Sequence, residues 1–199
     1  MKIIFATGNQ GKVREIKEIM ADVDAEIIPM KEYGIDIDVD ETGETFEENA
    51  ILKACAVAEE SGLLTLADDS GLEIDYLNKE PGIHSARFLG HDTSYDIKNR
   101  KILDMLKYVP MEKRTARFVC AIAAAFPDGR VETVRATFEG AIGFEIKGEN
   151  GFGYDPIFYL PDRGCYSGEL SLDEKNEVSH RGKALRLMKE RLVELGVFD

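Results

Sequence analysis

The stretch Leu63-Leu64-Thr65-Leu66-Ala67-Asp68-Asp69-Ser70-Gly71 decides the fold, because an uncharged apolar run ends there in a cluster of polar side chains. Residues 63–67 are too few for a helix and carry no charge, so they predict a buried strand. The Ser-Gly pair predicts the turn that ends this strand. Ligands of open α/β folds bind beyond the ends of such strands, which makes the polar cluster a candidate site.

Two interpretations of Asp68 and Asp69 follow from this position. Adjacent like charges are costly unless a positive group lies beside them, and Mg²⁺, which prefers oxygen ligands, is the usual one. Asp and Ser before Gly are also ordinary turn residues, since their side chains bond their own backbone. This stretch alone favours neither the metal site nor the turn.

The composition is that of an ordinary globular protein. Of the 199 residues, 44% are hydrophobic and 32% are charged, which fits a single domain over residues 1–199. No apolar run approaches the roughly 20 residues of a membrane span. Only four apolar residues follow Lys2, so a signal peptide is not expected either. We therefore expect a cytoplasmic protein with no membrane partner.

The net charge of -13 argues against a nucleic-acid polymer as partner, since binding to the phosphate backbone needs clustered positive charge. A single nucleotide is compatible with this charge where basic residues and a metal gather locally. The cysteines, Cys55, Cys120 and Cys165, are odd in number and far apart. They predict neither a disulfide framework nor a zinc cluster.

A glycine-containing loop connects the predicted first strand, residues 2–6, to a helix. Free backbone N–H groups and the helix dipole attract an anion in such an arrangement, and Lys12 adds a positive charge. The alternative is a plain connecting loop with an exposed lysine, because the Gly-Lys-Ser/Thr ending of a Walker A loop does not occur. The residues of the loop are Thr7, Gly8, Asn9, Gln10, Gly11 and Lys12.

A second acidic segment lies between residues 35 and 44. Apolar and acidic residues alternate over 35–40, which predicts a strand with one solvent-exposed face. These charges protect the edge of the sheet, or else Asp40 or Glu41 supplies oxygen ligands to a cation.

The helix that follows begins at a capping box formed by Thr45 and Glu48. Asn49 and Lys53 are one turn apart on it, so they share a helix face. Most such pairs only face solvent. The position of this pair between two acidic segments favours a role in the site.

A loop of glycines and aromatic residues at 148–156 is a further candidate segment. The backbone can approach a flat ligand there while a ring stacks on it. The alternative is a glycine-rich surface loop. The centre of the segment consists of Phe152, Gly153, Tyr154 and Asp155, and the cations that follow it are Lys175, His180 and Arg181.

Two long strands, residues 115–126 and 131–142, are joined by the turn Pro127-Asp128-Gly129-Arg130, which predicts a β-hairpin. The hairpin adds an antiparallel portion to the strand–helix pattern of the first half of the chain. We therefore expect an α/β fold with a mixed central sheet.

These segments together describe a site for a polyphosphate. Acidic clusters hold Mg²⁺, and cations contact the phosphates. The glycine–aromatic loop indicates that the ligand carries a base. Phosphoryl or nucleotidyl chemistry at such a site is mostly positioning and charge stabilisation, with one carboxylate that orients a water molecule.

Five motifs then occur in one order and spacing, and together they closely resemble the inosine/xanthosine triphosphate pyrophosphatase family, the Ham1/RdgB-like enzymes. The resemblance runs from Ile3 to about Leu195. It implies a mixed, strongly twisted sheet flanked by helices, with two lobes around a cleft, and commonly a homodimer. The motifs are Thr7-Gly8-Asn9 with Lys12, Glu41-Thr42-Gly43 with Thr45-Phe46-Glu47-Glu48-Asn49-Ala50, Ala67-Asp68-Asp69-Ser70-Gly71, Gly151-Phe152-Gly153-Tyr154-Asp155-Pro156, and Ser179-His180-Arg181-Gly182.

The resemblance implies hydrolysis of a nucleoside triphosphate to the monophosphate and pyrophosphate. ITP, dITP and XTP are the implied substrates, removed before they enter DNA or RNA. Asp69, with Asp40 or Glu41, would hold Mg²⁺, and Asp69 would accept the proton of the attacking water, with Lys12 as the second catalytic group. The expected substrate-binding residues are Thr7 to Lys12, Asn49, Lys53, Ser70, Phe152, Gly153, Tyr154, Asp155, Lys175, His180 and Arg181.

Two other functions compete with this hypothesis. Maf-like nucleotide pyrophosphatases share the general architecture but prefer other modified or pyrimidine nucleotides, and the segments at 152–155 and 179–181 argue against them. A non-catalytic nucleotide-binding module would make the acidic residues structural. Substitution of Asp69 by Asn would then leave every property of the protein intact.

Overall fold

A seven-stranded mixed sheet with flanking helices forms the architecture, as the sequence predicted. The structure, a computed structural model, describes residues 1–198. The order of the strands is β2-β1-β3-β4-β5-β6-β7. The strands are β1 (Lys2–Phe5), β2 (Glu26–Pro29), β3 (Thr65–Ile74), β4 (Thr115–Ala125), β5 (Val131–Ile142), β6 (Phe158–Leu160) and β7 (Cys165–Tyr166).

Parallel and antiparallel pairs share this sheet. Strand β1 pairs in parallel with β2 and with β3, whereas β5, β6 and β7 pair antiparallel in sequence. The predicted hairpin of β4 and β5 is present, and the amide of Phe126 donates to the carbonyl of Arg130 across its turn at 2.9 Å.

Within residues 1–198, side chains cap the starts of several helices. The side chains of Asn9, Thr45, Ser94 and Ser171 accept hydrogen bonds from backbone amides in the first turns of α1, α3, α4 and α5, which satisfies donors that have no partner inside a helix. Over residues 1–198, no helix has the length and apolar character needed to cross a membrane. The helices are α1 (Gln10–Ile19), α2 (Met30–Tyr33), α3 (Phe46–Ser61), α4 (Tyr95–Met105), α5 (Leu172–Val178) and α6 (His180–Glu194).

The chain forms two compact units, each with its own hydrophobic core. The first unit contains Met1–Asp69, Cys120–Ala136 and the described residues from His180 on, and the second contains Ser70–Val119 and Thr137–Ser179. Helices α1 and α6 cover the core of the first unit, where Cys120 is fully buried. Helix α4 contributes Ile102, and its C-cap residue Leu106 also joins the core of the second. The single domain expected for residues 1–199 stays a prediction.

The turn predicted at Ser70-Gly71 is wrong, because β3 continues without interruption from Thr65 to Ile74. Strand β1 pairs only with Thr65 and Leu66 of β3. Asp68 and Asp69 therefore lie within a strand, but beyond the carboxyl end of its parallel neighbour. Cations beside both carboxylates allow the strand to continue through them.

The strand predicted over residues 35–40 is also absent among the described elements. Burial still alternates along this segment, with Ile35 buried and Asp36, Asp38 and Asp40 exposed. Residues 35–40 thus show the burial pattern of a strand, but no strand is assigned to them in the described structure. The alternation of apolar and polar residues predicts which side chains are buried, but it does not show whether a neighbouring strand is available for pairing.

Candidate functional site

Asp68 and Asp69 lie on opposite faces of β3, because successive side chains of a strand alternate in direction. Both are buried: Asp68 is 1% exposed and Asp69 is 6% exposed. Each therefore meets a different set of neighbours in the first unit, and each set contains a cation. The two sets define the candidate site in this unit.

Asp68 is held as an anion by two cations. The ammonium of Lys12, in the first turn of α1, lies 3.0 Å from its Oδ2, and Nε of Arg181 in α6 lies 3.2 Å from the same oxygen. Burial alone would raise the pKa of Asp68, but the charges of Lys12 and Arg181 outweigh it and hold that pKa well below its usual range.

Arg181 also forms an ion pair with Glu15, through Nη1 and Oε2. Arg181 and Glu15 are both only 2% exposed. Burial works to lower the pKa of Arg181, but Glu15 and Asp68 raise it above its usual value, so the guanidinium stays charged. A row of alternating charges results, from Glu15 through Arg181 and Asp68 to Lys12.

Asp69 shares a single cation with Glu41. The ammonium of Lys53 in α3 lies 3.5 Å from Oδ1 of Asp69 and 2.8 Å from Oε1 of Glu41. Burial raises the pKa of the Asp69 carboxyl; Lys53 opposes that shift without cancelling it, and Glu41 adds to it. Asp69 is therefore the more basic of the two adjacent carboxylates.

Asn49 fixes the second oxygen of Asp69. Its Nδ2 donates to Oδ2 of Asp69 at 3.3 Å, and its Oδ1 accepts from the amide of Gly43 at 2.8 Å. A Cβ at Gly43 would lie 2.7 Å from Cβ of Glu48 and 2.8 Å from Oδ1 of Asn49, so only glycine allows this approach. The predicted pair Asn49 and Lys53 thus meets Asp69 from one helix face.

The loop before α1 is organised by Asn9. Oδ1 of Asn9 accepts from the amides of Gly11 at 2.8 Å and Lys12 at 3.4 Å, and Oγ1 of Thr7 accepts from the amide of Asn9 at 3.2 Å. Gly8, Asn9 and Gln10 are exposed. The loop therefore presents polar backbone to solvent at a helix N-terminus, which suits an anion.

Carboxylate oxygens that could hold a cation come from Asp69 and Glu41, whose side chains already converge on one ammonium. Asp40 differs from both: it is exposed, and the described structure gives its carboxylate no ion pair. Within residues 1–198, no cluster of three or more His, Cys, Asp or Glu side chains is arranged to bind a metal. The donor set fits a cation bound by two carboxylates together with ligand oxygens, as Mg²⁺ commonly is.

In the second unit, Asp155 organises the glycine–aromatic loop. Its Oδ2 accepts from the amide of Phe152 at 2.8 Å and from Nζ of Lys175 at 2.7 Å, and its Oδ1 accepts from Oγ of Ser167 at 2.8 Å. Asp155 is 2% exposed. Its carboxylate therefore shapes the loop from inside.

The ring of Phe152 lies against a cation in this loop. Nζ of Lys175 is 4.6 Å from the centroid of the ring, close enough for a cation–π interaction. Phe152 itself is half-buried, whereas Tyr154 is buried and donates through its hydroxyl to the carbonyl of Ser85 at 2.7 Å. Of the two aromatic side chains, only Phe152 keeps a surface with which a flat ligand could stack.

Comparison with known proteins identifies the family. The chain matches the Ham1 family over residues 3–191. The protein is a member of the Ham1 family. The resemblance of the five motifs is thereby confirmed over almost the whole chain.

Curated relatives of this Ham1 protein match it from end to end. It is 47% identical to the dITP/XTP pyrophosphatase of Desulforamulus reducens over 192 residues, which cover 96% of each chain. It is also 47% identical to the dITP/XTP pyrophosphatase of Bacillus cereus over 195 residues, 97% of this chain and 95% of the relative.

Solved structures of Ham1 proteins have the same fold. The Ham1 protein of Staphylococcus aureus superimposes with a TM-score of 0.88 at 42% identity, over 98% of this chain and 99% of that one. The Ham1 protein of Coxiella burnetii gives a TM-score of 0.89 at 40% identity over the same shares. Both likenesses support the mixed α/β architecture described above.

The Ham1 protein places most of the expected residues within two groups. The first unit brings together Lys12, Glu41, Asn49, Lys53, Asp69 and Arg181, and the second brings together Phe152, Asp155 and Lys175. His180 is buried at the start of α6, and Ser70 is half-buried in β3. Asp40 lies outside the ion pairs of the first group.

Sequence analysis missed Glu15, which is as buried as the arginine that it binds. The hydrophobic pattern gave no signal for it, since Val13, Ile16 and Met20 share one face of α1 and Glu15 lies off that face, where it is buried all the same. A carboxylate on a buried helix face requires a cation, because an isolated buried charge is very costly. The sequence alone does not say which cation it is.

Proposed function

We propose that this protein hydrolyses non-standard purine nucleoside triphosphates, namely dITP, XTP and ITP, to the monophosphate and pyrophosphate. The names of the full-length relatives support this proposal, since the chain covers nearly all of each. The reaction would remove deaminated purine nucleotides before they enter DNA or RNA.

The observation that carries the proposal is the setting of Asp69, whose buried carboxylate meets Lys53 at 3.5 Å and Asn49 at 3.3 Å, and whose pKa is raised by burial. A general base works best when its pKa lies near the working pH, so a carboxylate with a raised pKa is the better proton acceptor. We assign Asp69 the role of base for the water that attacks the α-phosphate. Asn49 would orient the carboxylate, because it binds one of the two oxygens.

Lys12 and the loop before α1 would bind the triphosphate. Lys12 is paired with Asp68, which keeps its ammonium at the end of the loop. A triphosphate that binds the exposed loop at Gly8 to Gln10 would meet this ammonium next. Asp68 would then position Lys12 and take no part in proton transfer.

Mg²⁺ is the cofactor that suits the carboxylates of Asp69 and Glu41. One oxygen of each side chain lies near the ammonium of their shared partner Lys53. This convergence supports Asp69 and Glu41, and not Asp40, as the metal ligands. When bound, Mg²⁺ neutralises negative charge on the phosphates. Lys53 supplies the positive charge between the two carboxylates when no metal is present.

Phe152 would stack on the base, and Lys175, His180 and Arg181 would complete the contacts to base and phosphate. Donors aimed at the 6-oxo group of hypoxanthine or xanthine would be left unpaired by the amino group of adenine, which disfavours ATP strongly. Rejection of GTP, which shares the 6-oxo group, requires contacts around the 2-position. A homodimer in the cytoplasm, with no nucleic-acid partner, is expected as well and stays a prediction.

Release of pyrophosphate from XTP, dITP, GTP and ATP tests the proposal, each measured with Mg²⁺ and with EDTA. We expect metal-dependent release from XTP and dITP, with GTP and ATP far slower. Release from pyrimidine or other modified nucleotides alone would favour a Maf-like activity. No release from any triphosphate would overturn the enzyme assignment and favour a nucleotide-binding module.

A further inference from the structure

Helix α4 carries two adjacent polar side chains on its buried face. Lys98 is 1% exposed and Asn99 is 3% exposed, in the second unit of the chain. Both bind backbone carbonyls in loops. Nδ2 of Asn99 donates to the carbonyl of Gly153 at 3.1 Å, and Nζ of Lys98 donates to the carbonyl of Ala86 at 2.6 Å.

The side-chain amide of Asn99 makes one hydrogen bond in the described structure, although its nitrogen and oxygen together could make several. Its Nδ2 must face the carbonyl of Gly153, since two oxygens would repel each other there. Its buried Oδ1 has no hydrogen-bond partner within residues 1–198. A buried acceptor without a partner costs free energy, so stability alone does not explain an asparagine at this position.

The peptide groups around Phe152 have little conformational restraint of their own. Gly151 and Gly153 flank this residue with φ angles of 75° and 69°, and glycine permits many other backbone conformations. Two hydrogen bonds select the observed one. Asp155 accepts from the amide of Phe152, and Asn99 binds the carbonyl of Gly153, one residue further along the chain.

Tyr154 strengthens the same arrangement from α4. Its ring packs edge-to-face on Tyr95, the first residue of α4, with 5.1 Å between ring centroids. Its hydroxyl binds the carbonyl of Ser85, next to the carbonyl that Lys98 binds. Helix α4 therefore contacts the loop at the carbonyl of Gly153 and the ring of Tyr154, whereas Asp155 binds the amide of Phe152.

We propose that Asn99 is a positioning residue for recognition of the nucleobase. By holding the carbonyl of Gly153 it fixes the backbone that follows the Phe152 ring, without touching the nucleotide. The inference rests on the proposed function, in which Phe152 stacks on the base. It predicts that Asn99 governs affinity and base selectivity more than the rate of the chemical step.

A tryptophan introduced at the loop reports its mobility independently of any activity. The chain contains no tryptophan, so Phe152→Trp supplies a single indole, which is excited selectively over the tyrosines. We compare Asn99→Leu and the matched control Arg100→Gln in this background. Arg100 is the next residue of α4, is exposed, and forms an ion pair with Asp96.

In this experiment the Asn99→Leu substitution should raise the acrylamide quenching constant by about two-fold and lower the anisotropy, because the loop loses the hydrogen bond that holds the carbonyl of Gly153. The Arg100→Gln control should change neither quantity. Equal quenching in the parent and in Asn99→Leu would overturn the proposal, whether or not the protein hydrolyses any nucleotide.

Steady-state kinetics with Phe152 intact separate a positioning role from a merely structural one. Asn99→Leu should raise KM for XTP by about five-fold or more, leave kcat within about two-fold, and reduce the preference for XTP over GTP. A loss of about five-fold in kcat with an unchanged KM would contradict the inference. If the unmodified protein releases no pyrophosphate, the proposed function fails while the quenching result still decides the role of Asn99 in the loop.

Asn99→Asp provides a second variant of nearly the same shape in case Asn99→Leu does not fold. The aspartate places an oxygen against the carbonyl of Gly153 only when it is ionised, because a protonated carboxyl can donate to that carbonyl as the asparagine does. The variant is therefore assayed at a pH where its carboxyl is ionised, and the loop should then loosen as in Asn99→Leu. Far-UV circular dichroism establishes that each variant is folded before it is assayed. A folded Asn99→Asp protein with parental quenching and parental KM would overturn the proposal.

Discussion

Asp68 and Asp69 are neighbours in one strand, yet the pKa of Asp68 is lowered and that of Asp69 is raised. The strand directs the two side chains to opposite faces, and the faces differ in their cations. Lys12 and Arg181 both bind Asp68, whereas Asp69 shares Lys53 with Glu41. Two identical side chains therefore have different chemistry: one stays an anion, and the other accepts a proton more readily.

Opposite effects on stability follow for the two carboxylates. The lowered pKa of Asp68 means that its charge stabilises the fold at neutral pH, and that this contribution is lost as the pH falls below about 4, the ordinary value. The raised pKa of Asp69 means that its charge costs stability above that pH. We predict that Asp68→Asn lowers and Asp69→Asn raises the free energy of unfolding at pH 7.

Urea denaturation at pH 7 measures both changes. Because the two substitutions are isosteric and adjacent, each serves as the control for the other. A loss of stability in both variants would show that the two environments are equivalent, contrary to the structure.

Removal of the Lys53 charge should shift the pH profile of the reaction. Lys53 opposes the rise in the pKa of Asp69, so Lys53→Met should raise that pKa further. The acidic limb of kcat/KM against pH then moves to higher pH, since the base is deprotonated only there. Lys53→Arg keeps the positive charge and should leave the limb near its original position. An unshifted limb in Lys53→Met would contradict the assignment of Asp69.

Titration with Mg²⁺ distinguishes Asp40 from Glu41 as the metal ligand. Glu41→Gln should raise the Mg²⁺ concentration for half-maximal activity by about ten-fold, because it removes one of two converging carboxylates. Asp40→Asn is the matched control and should have little effect, since Asp40 is exposed and outside the ion pairs. The reverse order would assign the metal to Asp40.

The buried pair of Glu15 and Arg181 should contribute strongly to stability. Glu15→Gln leaves the buried guanidinium with less compensating charge, so we expect a loss of about 3 kcal/mol in the free energy of unfolding. The surface pair of Lys17 in α1 and Glu32 in α2 offers a control, and Glu32→Gln should cost less than about 1 kcal/mol. Comparable losses in the free energy of unfolding of the two variants would contradict the prediction that the buried pair stabilises the fold more than the surface pair.

The sequence predicted the elements with strong local signals. The capping residue Thr45, the hairpin turn at 127–130 and the two long strands on either side of that turn all occur where expected. Local hydrogen bonds and turn chemistry determine these features, so they are visible in a single sequence. The motifs also led to the correct family.

Features that depend on distant partners could not be predicted in the same way. Strand β3 passes through Ser70-Gly71 within the sheet, between β1 and β4, and cations from α1, α3 and α6 lie beside its carboxylates; no local pattern reveals these neighbours. Residues 35–40 alternate as a strand does but lack a neighbour. The apolar residue Ile97 of α4 is 55% exposed. In each of these cases the structure depends on contacts with residues that are distant in the sequence.

Turnover of XTP by Asp69→Asn tests the central claim most directly. Asparagine keeps the shape of the side chain but cannot accept the proton, so kcat should fall by about 100-fold or more while the fold and the binding of XTP are retained. Single-turnover hydrolysis, together with binding measured at the same pH, gives both quantities. A folded Asp69→Asn protein that binds XTP and hydrolyses it at the parental rate would contradict the role of Asp69 as the base.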